Sequence, residues 1–114
     1  MANKPYIGYN KRRQHAKRRY HLKIGLTHAV TGVDAIVELK VWDVPRSIEY
    51  PGGIKFSFFL VLKQSVQVVV GMDNHFPKGP HLHIWNEELP YVFVSLEQLN
   101  LDFWSYVAQE GFVI

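Results

Sequence analysis

Apolar and polar positions alternate through the middle of the chain, and only its last quarter repeats at helical spacing. Residues 34–44 read D-A-I-V-E-L-K-V-W-D-V. In an extended chain Ile36, Glu38, Lys40 and Trp42 share one face, while Val37, Leu39, Val41 and Asp43 share the other, which predicts a strand ended by Pro45. The Y-P-G-G of residues 50–53 marks a loop. Residues 54–62 predict a second strand, residues 63–65 a turn, and residues 66–72 a third strand. The second and third strands are almost continuously apolar, so they are expected to be central and covered on both faces. Short connections imply antiparallel pairing. Residues 82–85 begin a fourth strand, residues 86–90 look polar and turn-like, and residues 91–94 read as a short strand or its continuation. Ser95 with Gln98 forms a capping-box pattern. Leu99, Phe103, Tyr106 and Val107 then recur at helical spacing, predicting an amphipathic helix to about Gln109 that Gly111 ends.

The earlier part of the chain is less regular. Residues 1–10 carry Pro5 and Gly8 and read as a frayed end. Residues 11–23, K-R-R-Q-H-A-K-R-R-Y-H-L-K, have helix-compatible residue types but no acid for pairing one turn away. They predict a short basic helix. Residues 24–32 fit a helix end or a first strand, with a turn at Thr31 and Gly32, and His28 reads as a surface or structural histidine. The apolar tail, residues 111–114, is expected to pack back on the sheet, with docking on a partner or a second copy as the alternative. The derived architecture is α+β: a small antiparallel sheet of four to five strands, a C-terminal helix packed on it, and a basic N-terminal helix. One domain spans residues 1–114, with a basic arm at 1–33 and the sheet plus helix at 34–110.

Composition adds one asymmetry. Residues 1–33 hold eight Lys or Arg and no acid, whereas residues 34–114 hold five bases and ten acids. That suggests a polyanion contact, or an acidic protein partner, met by one end of the chain. The candidate nucleic-acid contacts are Lys11, Arg12, Arg13, Lys17, Arg18, Arg19, Tyr20 and Lys23, with Tyr20 and His21 available for stacking. There is no cysteine, which excludes disulfides and Cys-ligated metal and fits a cytoplasmic location. No apolar run is long enough to span a membrane, and the basic N-terminus lacks the apolar stretch of a secretory signal.

The densest chemistry lies at residues 73–83, D-N-H-F-P-K-G-P-H-L-H, with three of the six histidines. If residues 81–83 are extended, His81 and His83 point to one side. Three readings compete. In the first, His75, His81 and His83 do acid–base work in RNA cleavage without a cofactor, with Lys78 as the cation beside the phosphorane and Asp73 orienting an imidazole. In the second, a divalent metal sits at His75, His81 and His83 with Asp73. In the third, the loop is a polar structural knot.

These residues also carry a resemblance. V-E-L-K-V-W-D-V-P at 37–45, Y-P-G-G-I-K-F at 50–56, D-N-H-F-P-K-G-P-H-L-H at 73–83 and Y-V-F-V-S at 91–95, in that order, resemble the TumE family, toxins of TumA/TumE-type toxin–antitoxin systems. The match covers roughly residues 34–107. It implies a small α+β toxin whose partner is a cognate antitoxin, commonly a helix-turn-helix protein. Its polar set carries over as Asp73, Asn74, His75, Lys78, Gly79, His81 and His83. Ribonuclease roles rest on the histidine chemistry and not on the resemblance. The reading is a cytoplasmic toxin acting on RNA as a ribonuclease. The alternatives are a non-catalytic nucleic-acid-binding or regulatory module using the arm, and a subunit or homo-oligomer that functions only in a complex.

Overall fold

The structure, a computed structural model, describes residues 17–114. The expectations for residues 1–10 and for Lys11, Arg12 and Arg13 lie outside the described residues. From Lys17 the chain runs as a meander: β1 (Lys17–His28), β2 (Asp34–Asp43), β3 (Ile54–Leu62), β4 (Val68–Asp73), β5 (His81–Ile84) and β6 (Glu87–Pro90). Helix α1 (Leu96–Gln109) follows, and β7 (Phe112–Val113) closes the chain. All pairings are antiparallel, in the order β6-β5-β4-β3-β2-β1-β7. The sheet curves into a half-barrel.

This corrects the α+β expectation of four to five strands: the described fold is mainly β, with seven strands and one helix. Residues 17–23, expected in a basic helix, are strand. The period-two signal Tyr20, Leu22, Ile24, Leu26 was present but was outweighed by the helix propensity of the lysines and arginines. In a strand, successive like charges go to opposite faces, and the β1–β2 register sets His21 and Lys23 opposite Lys40 and Glu38. Residues 86–90, read as a turn, contain β6. A two-residue turn at Trp85–Asn86 joins it to β5, with Ile84 opposite Glu87. Trp85 adopts φ 52°, a conformation that Asn-Gly would have advertised and Trp does not. Its indole N–H donates to Glu110 Oε1 at 2.6 Å. Residues 91–94 pair with none of the described strands. Instead Phe93 stacks on Phe56, with centroids 5.1 Å apart, and Tyr91 donates to Asp102 at 2.6 Å. Burial first, and Asp102 second, raise that phenol's pKa.

The core lies on one face of the sheet. Val37, Leu39 and Val41 of β2, Phe56, Phe58 and Leu60 of β3, and Met72 of β4 face Leu99, Phe103 and Val107 of α1 in one buried cluster. Ser95 caps the helix by accepting from the Gln98 N–H at 3.1 Å, but the Gln98 side chain donates to Asp102 at 2.8 Å, so only half of the expected capping box forms. The tail folds back: Phe112 is buried, and β7 pairs with the end of β1. His28 accepts the Val30 and Thr31 N–H groups at Nδ1 and meets the Phe112 ring edge-on, which makes it structural. β3 and β4 are central, but helix α1 covers only one of their faces. On the other, Lys55, Ser57 and Phe59 stay partly exposed.

Candidate functional site

That second face, which no described element covers, carries the chemistry. Cross-strand partners share a face, so the registers lay out its rows. One row runs His21, Lys40, Ser57, Asp73, His81 across β1 to β5. The next runs Lys23, Glu38, Phe59, Gly71, His83, Glu88. A third, at the edge, holds Arg18, Trp42 and Lys55. Gly71 is required here, because a Cβ would stand 2.5 Å from the Phe59 ring. Its absence lets that ring lie across the sheet beside His83.

His81 is 8% exposed. Its Nδ1 lies 2.7 Å from the Gly79 carbonyl oxygen. A carbonyl can only accept, so Nδ1 donates and the neutral ring keeps its lone pair on Nε2. That Nε2 sits 3.2 Å from Asp73 Oδ1. Two acceptors face each other there unless a proton or a metal cation stands between them. Asp73 also accepts the His75 N–H at 3.2 Å, which fixes the carboxylate at the loop entrance. The His83 ring meets His81 edge to face, with centroids 4.7 Å apart.

Asp73, His81 and His83 place one ligand atom each within 4.8 Å of one another. A carboxylate and two imidazoles so placed could hold one divalent cation, with the His81–Gly79 bond as the outer contact that would orient the His81 ring. His75 is not part of this trio. It is exposed and lines two adjoining clefts, one with Phe76, Lys78 and His81 and the other with Trp42, Lys55 and Ser57. Lys78 reaches Glu88 with both carboxylate oxygens at 2.9 Å. That bond holds the Glu88 carboxyl below its ordinary value. The charge of Lys78 is therefore already paired.

The basic strand contributes unevenly. Arg18 and Lys23 lie on the open face, whereas Arg19 is clamped to Asp43 at 2.8 and 3.2 Å. Tyr20 turns to the helix side, where it lines a cavity with Leu96 and Asn100. A register shift between Arg18 and Tyr20 produces this split. His21 Nε2 meets Glu38 Oε2 at 2.7 Å, and this bond chiefly lowers the Glu38 pKa.

Asn74 has a scaffold role. Its side-chain amide donates to the Ile54 carbonyl at 2.8 Å and accepts the Phe56 N–H at 2.9 Å. It thereby extends the β3–β4 ladder past the last paired residue and fixes where the loop departs. Asn74→Ala leaves both partly buried backbone groups unpaired, and is expected to cost about 1–3 kcal/mol. Urea unfolding checks this, with Asn74→Asp expected to recover only the acceptor half.

Sequence reasoning did not single out Trp42, Lys55 and Phe59 as neighbours of the histidines. The alternation placed Trp42 with Lys40, but only the long-range register brings β2 and β3 beside the loop.

A family model described as Toxin TumE matches residues 6–110 of the 114-residue chain. That span extends past both ends of residues 34–107 and takes in most of the basic segment. Nothing among the curated proteins or the solved structures matches.

Proposed function

From the premise that the chain belongs to the TumE family, and is thus the toxin of a toxin–antitoxin system with an antitoxin as partner, we propose that it acts on RNA in the cytoplasm as a ribonuclease using histidine acid–base chemistry. The observation that carries this reading is the contact of His81 with both Asp73 and His83 on an open sheet face that also holds Arg18, Lys23, Lys40 and Lys55.

In such a cleavage the RNA 2′-oxygen attacks the adjacent phosphorus, and the bond from phosphorus to the 5′-oxygen breaks. The products are a 2′,3′-cyclic phosphate and a free 5′-hydroxyl. One group must take the 2′-hydroxyl proton and another must protonate the departing oxygen. His83, the more exposed ring, takes the first role. His81 takes the second: its Nε2 proton, held toward Asp73 in the free protein, passes to the departing 5′-oxygen and leaves a neutral imidazole, with Asp73 orienting the ring. His75 stands at the junction of the clefts, where it reaches the phosphate. Lys78 supplies charge to the phosphorane when it leaves Glu88, and Lys55 lines the adjoining cleft as a second cation.

A second reading keeps the same face and adds a divalent ion. It is favoured by the spacing of Asp73, His81 and His83, a different set from the three histidines that the sequence suggested. Growth inhibition tests the shared core of both readings. His81→Ala and His83→Ala are each expected to relieve toxicity while leaving the folded protein able to bind its antitoxin. Full toxicity in both variants would remove the cluster from the mechanism.

A further inference from the structure

Trp42 stands on the open face outside the histidine cluster. Its cross-strand neighbours there are Arg18 and Lys55, so two cations flank one indole. Lys55 Nζ lies over the ring, 5.4 Å from its centroid. The buried cluster and the helix are on the opposite side of the sheet, so this ring has no part in the core. It is nevertheless joined to the cluster. Trp42, Lys55, Ser57, Asp73 and His75 line a cleft of about 260 Å³. Asp73, His75, Phe76, Lys78 and His81 line another of about 390 Å³. Asp73 and His75 belong to both, so the two run together, with Trp42 at one end and His81 at the other. Their combined size falls in the usual range of ligand pockets, about 300–1,000 Å³.

We infer that Trp42 and Lys55 form a base-stacking subsite for single-stranded RNA, placed beside the Asp73–His81–His83 cluster. What happens at the far end of the groove rests on the cleavage reading above; the binding does not. An unpaired base offers its π-face to an indole, and such stacking tolerates any base. Lys55 has a flexible stem. When a base arrives, its ammonium swings from the ring to the adjoining phosphate, and Arg18 meets the phosphate on the other flank. Bases inside a duplex are already stacked on each other and cannot offer that face. The subsite therefore selects unpaired RNA and places it beside Asp73.

The test is fluorescence anisotropy with a labelled 2′-O-methyl oligonucleotide, which lacks the attacking hydroxyl and so reports binding alone. The full chain is compared with Trp42→Leu, Trp42→Phe and Lys55→Ala, with circular dichroism to confirm folding. Trp42→Leu keeps apolar bulk but loses the ring, and is expected to weaken single-strand binding by roughly tenfold or more. Trp42→Phe keeps most of the affinity. Lys55→Ala weakens binding and flattens its salt dependence. A blunt duplex of the same length binds more weakly and is indifferent to Trp42. Wild-type affinity in Trp42→Leu, or equal affinity for duplex and single strand, would overturn the subsite. Cleavage of unmodified RNA is scored separately, so binding without cleavage leaves the subsite standing and removes the ribonuclease reading.

Discussion

Replacing His81 with alanine is expected to lower the rate of RNA cleavage by about 10²–10⁴-fold, the usual contribution of one positioned acid or base. The loss should fall on kcat and much less on KM, because His81 is 8% exposed and makes its contacts with Gly79 and Asp73 rather than with open solvent. The fold should survive: the ring lies on the face away from the core, and its β5 backbone pairs with β4 and β6 whatever the side chain. Asp73→Asn gives a companion result. It keeps the shape and removes the charge, so a proton on Nε2 loses its carboxylate partner and the rate falls less than in His81→Ala. The double variant His81→Ala/His83→Ala should be little worse than the more damaging single change, since residues acting as a unit are not additive. Single-turnover kinetics on a labelled oligoribonucleotide measure all of these.

The second large effect is on the scaffold. Phe103→Ala is expected to destabilise the protein by about 3–5 kcal/mol, the usual range for deleting a buried aromatic ring. Phe103 is fully buried, and its ring meets Phe58 of β3 edge-on at 5.6 Å. It is the central residue of the helix stripe that includes Leu99 and Val107. Small domains have about 5–15 kcal/mol in all, so the variant should sit near the edge of folding. Urea denaturation checks this through the shift of the midpoint at constant slope. A change below about 1 kcal/mol would mean that α1 is not packed on the sheet as described. Phe103 does not touch the open face, so loss of activity in this variant should track loss of folded protein, whereas in His81→Ala it should not.

The two predictions divide the molecule as its sequence does. The helix was legible almost to the residue, because Ser95 and Gln98 mark its start, Gly111 its end, and Leu99, Phe103 and Val107 its buried side. β2 was legible from alternation and from Pro45, and β3 from an almost continuous apolar run after the Y-P-G-G turn. β1 was not, since its lysines and arginines suit a helix locally. What decides against the helix is pairing with β2, a contact remote in sequence. β6 was hidden because its four residues are all exposed and carry no apolar alternation. The candidate site was legible in its composition and not in its geometry. The dense stretch at residues 73–83 pointed to Asp73, His75, Lys78, His81 and His83, of which Asp73, His81 and His83 converge while His75 stands outside the trio. Residue types alone could not separate Asn74, which ties the loop to β3, from its neighbours. Nor could they show that Lys78 would be held by Glu88, or that Trp42 would share a groove with Asp73.

The function proposed for this face turns on whether the histidine cluster cleaves RNA by proton transfer. That is tested most directly by incubating purified protein with labelled total RNA and tRNA, with and without EDTA, beside the His81→Ala/His83→Ala variant. The expected result is cleavage that persists in EDTA, leaves 2′,3′-cyclic phosphate ends, and disappears in the variant. Cleavage abolished by EDTA would transfer the same residues to a metal site. RNA left intact by the wild-type protein, or cut equally by the variant, would contradict the account.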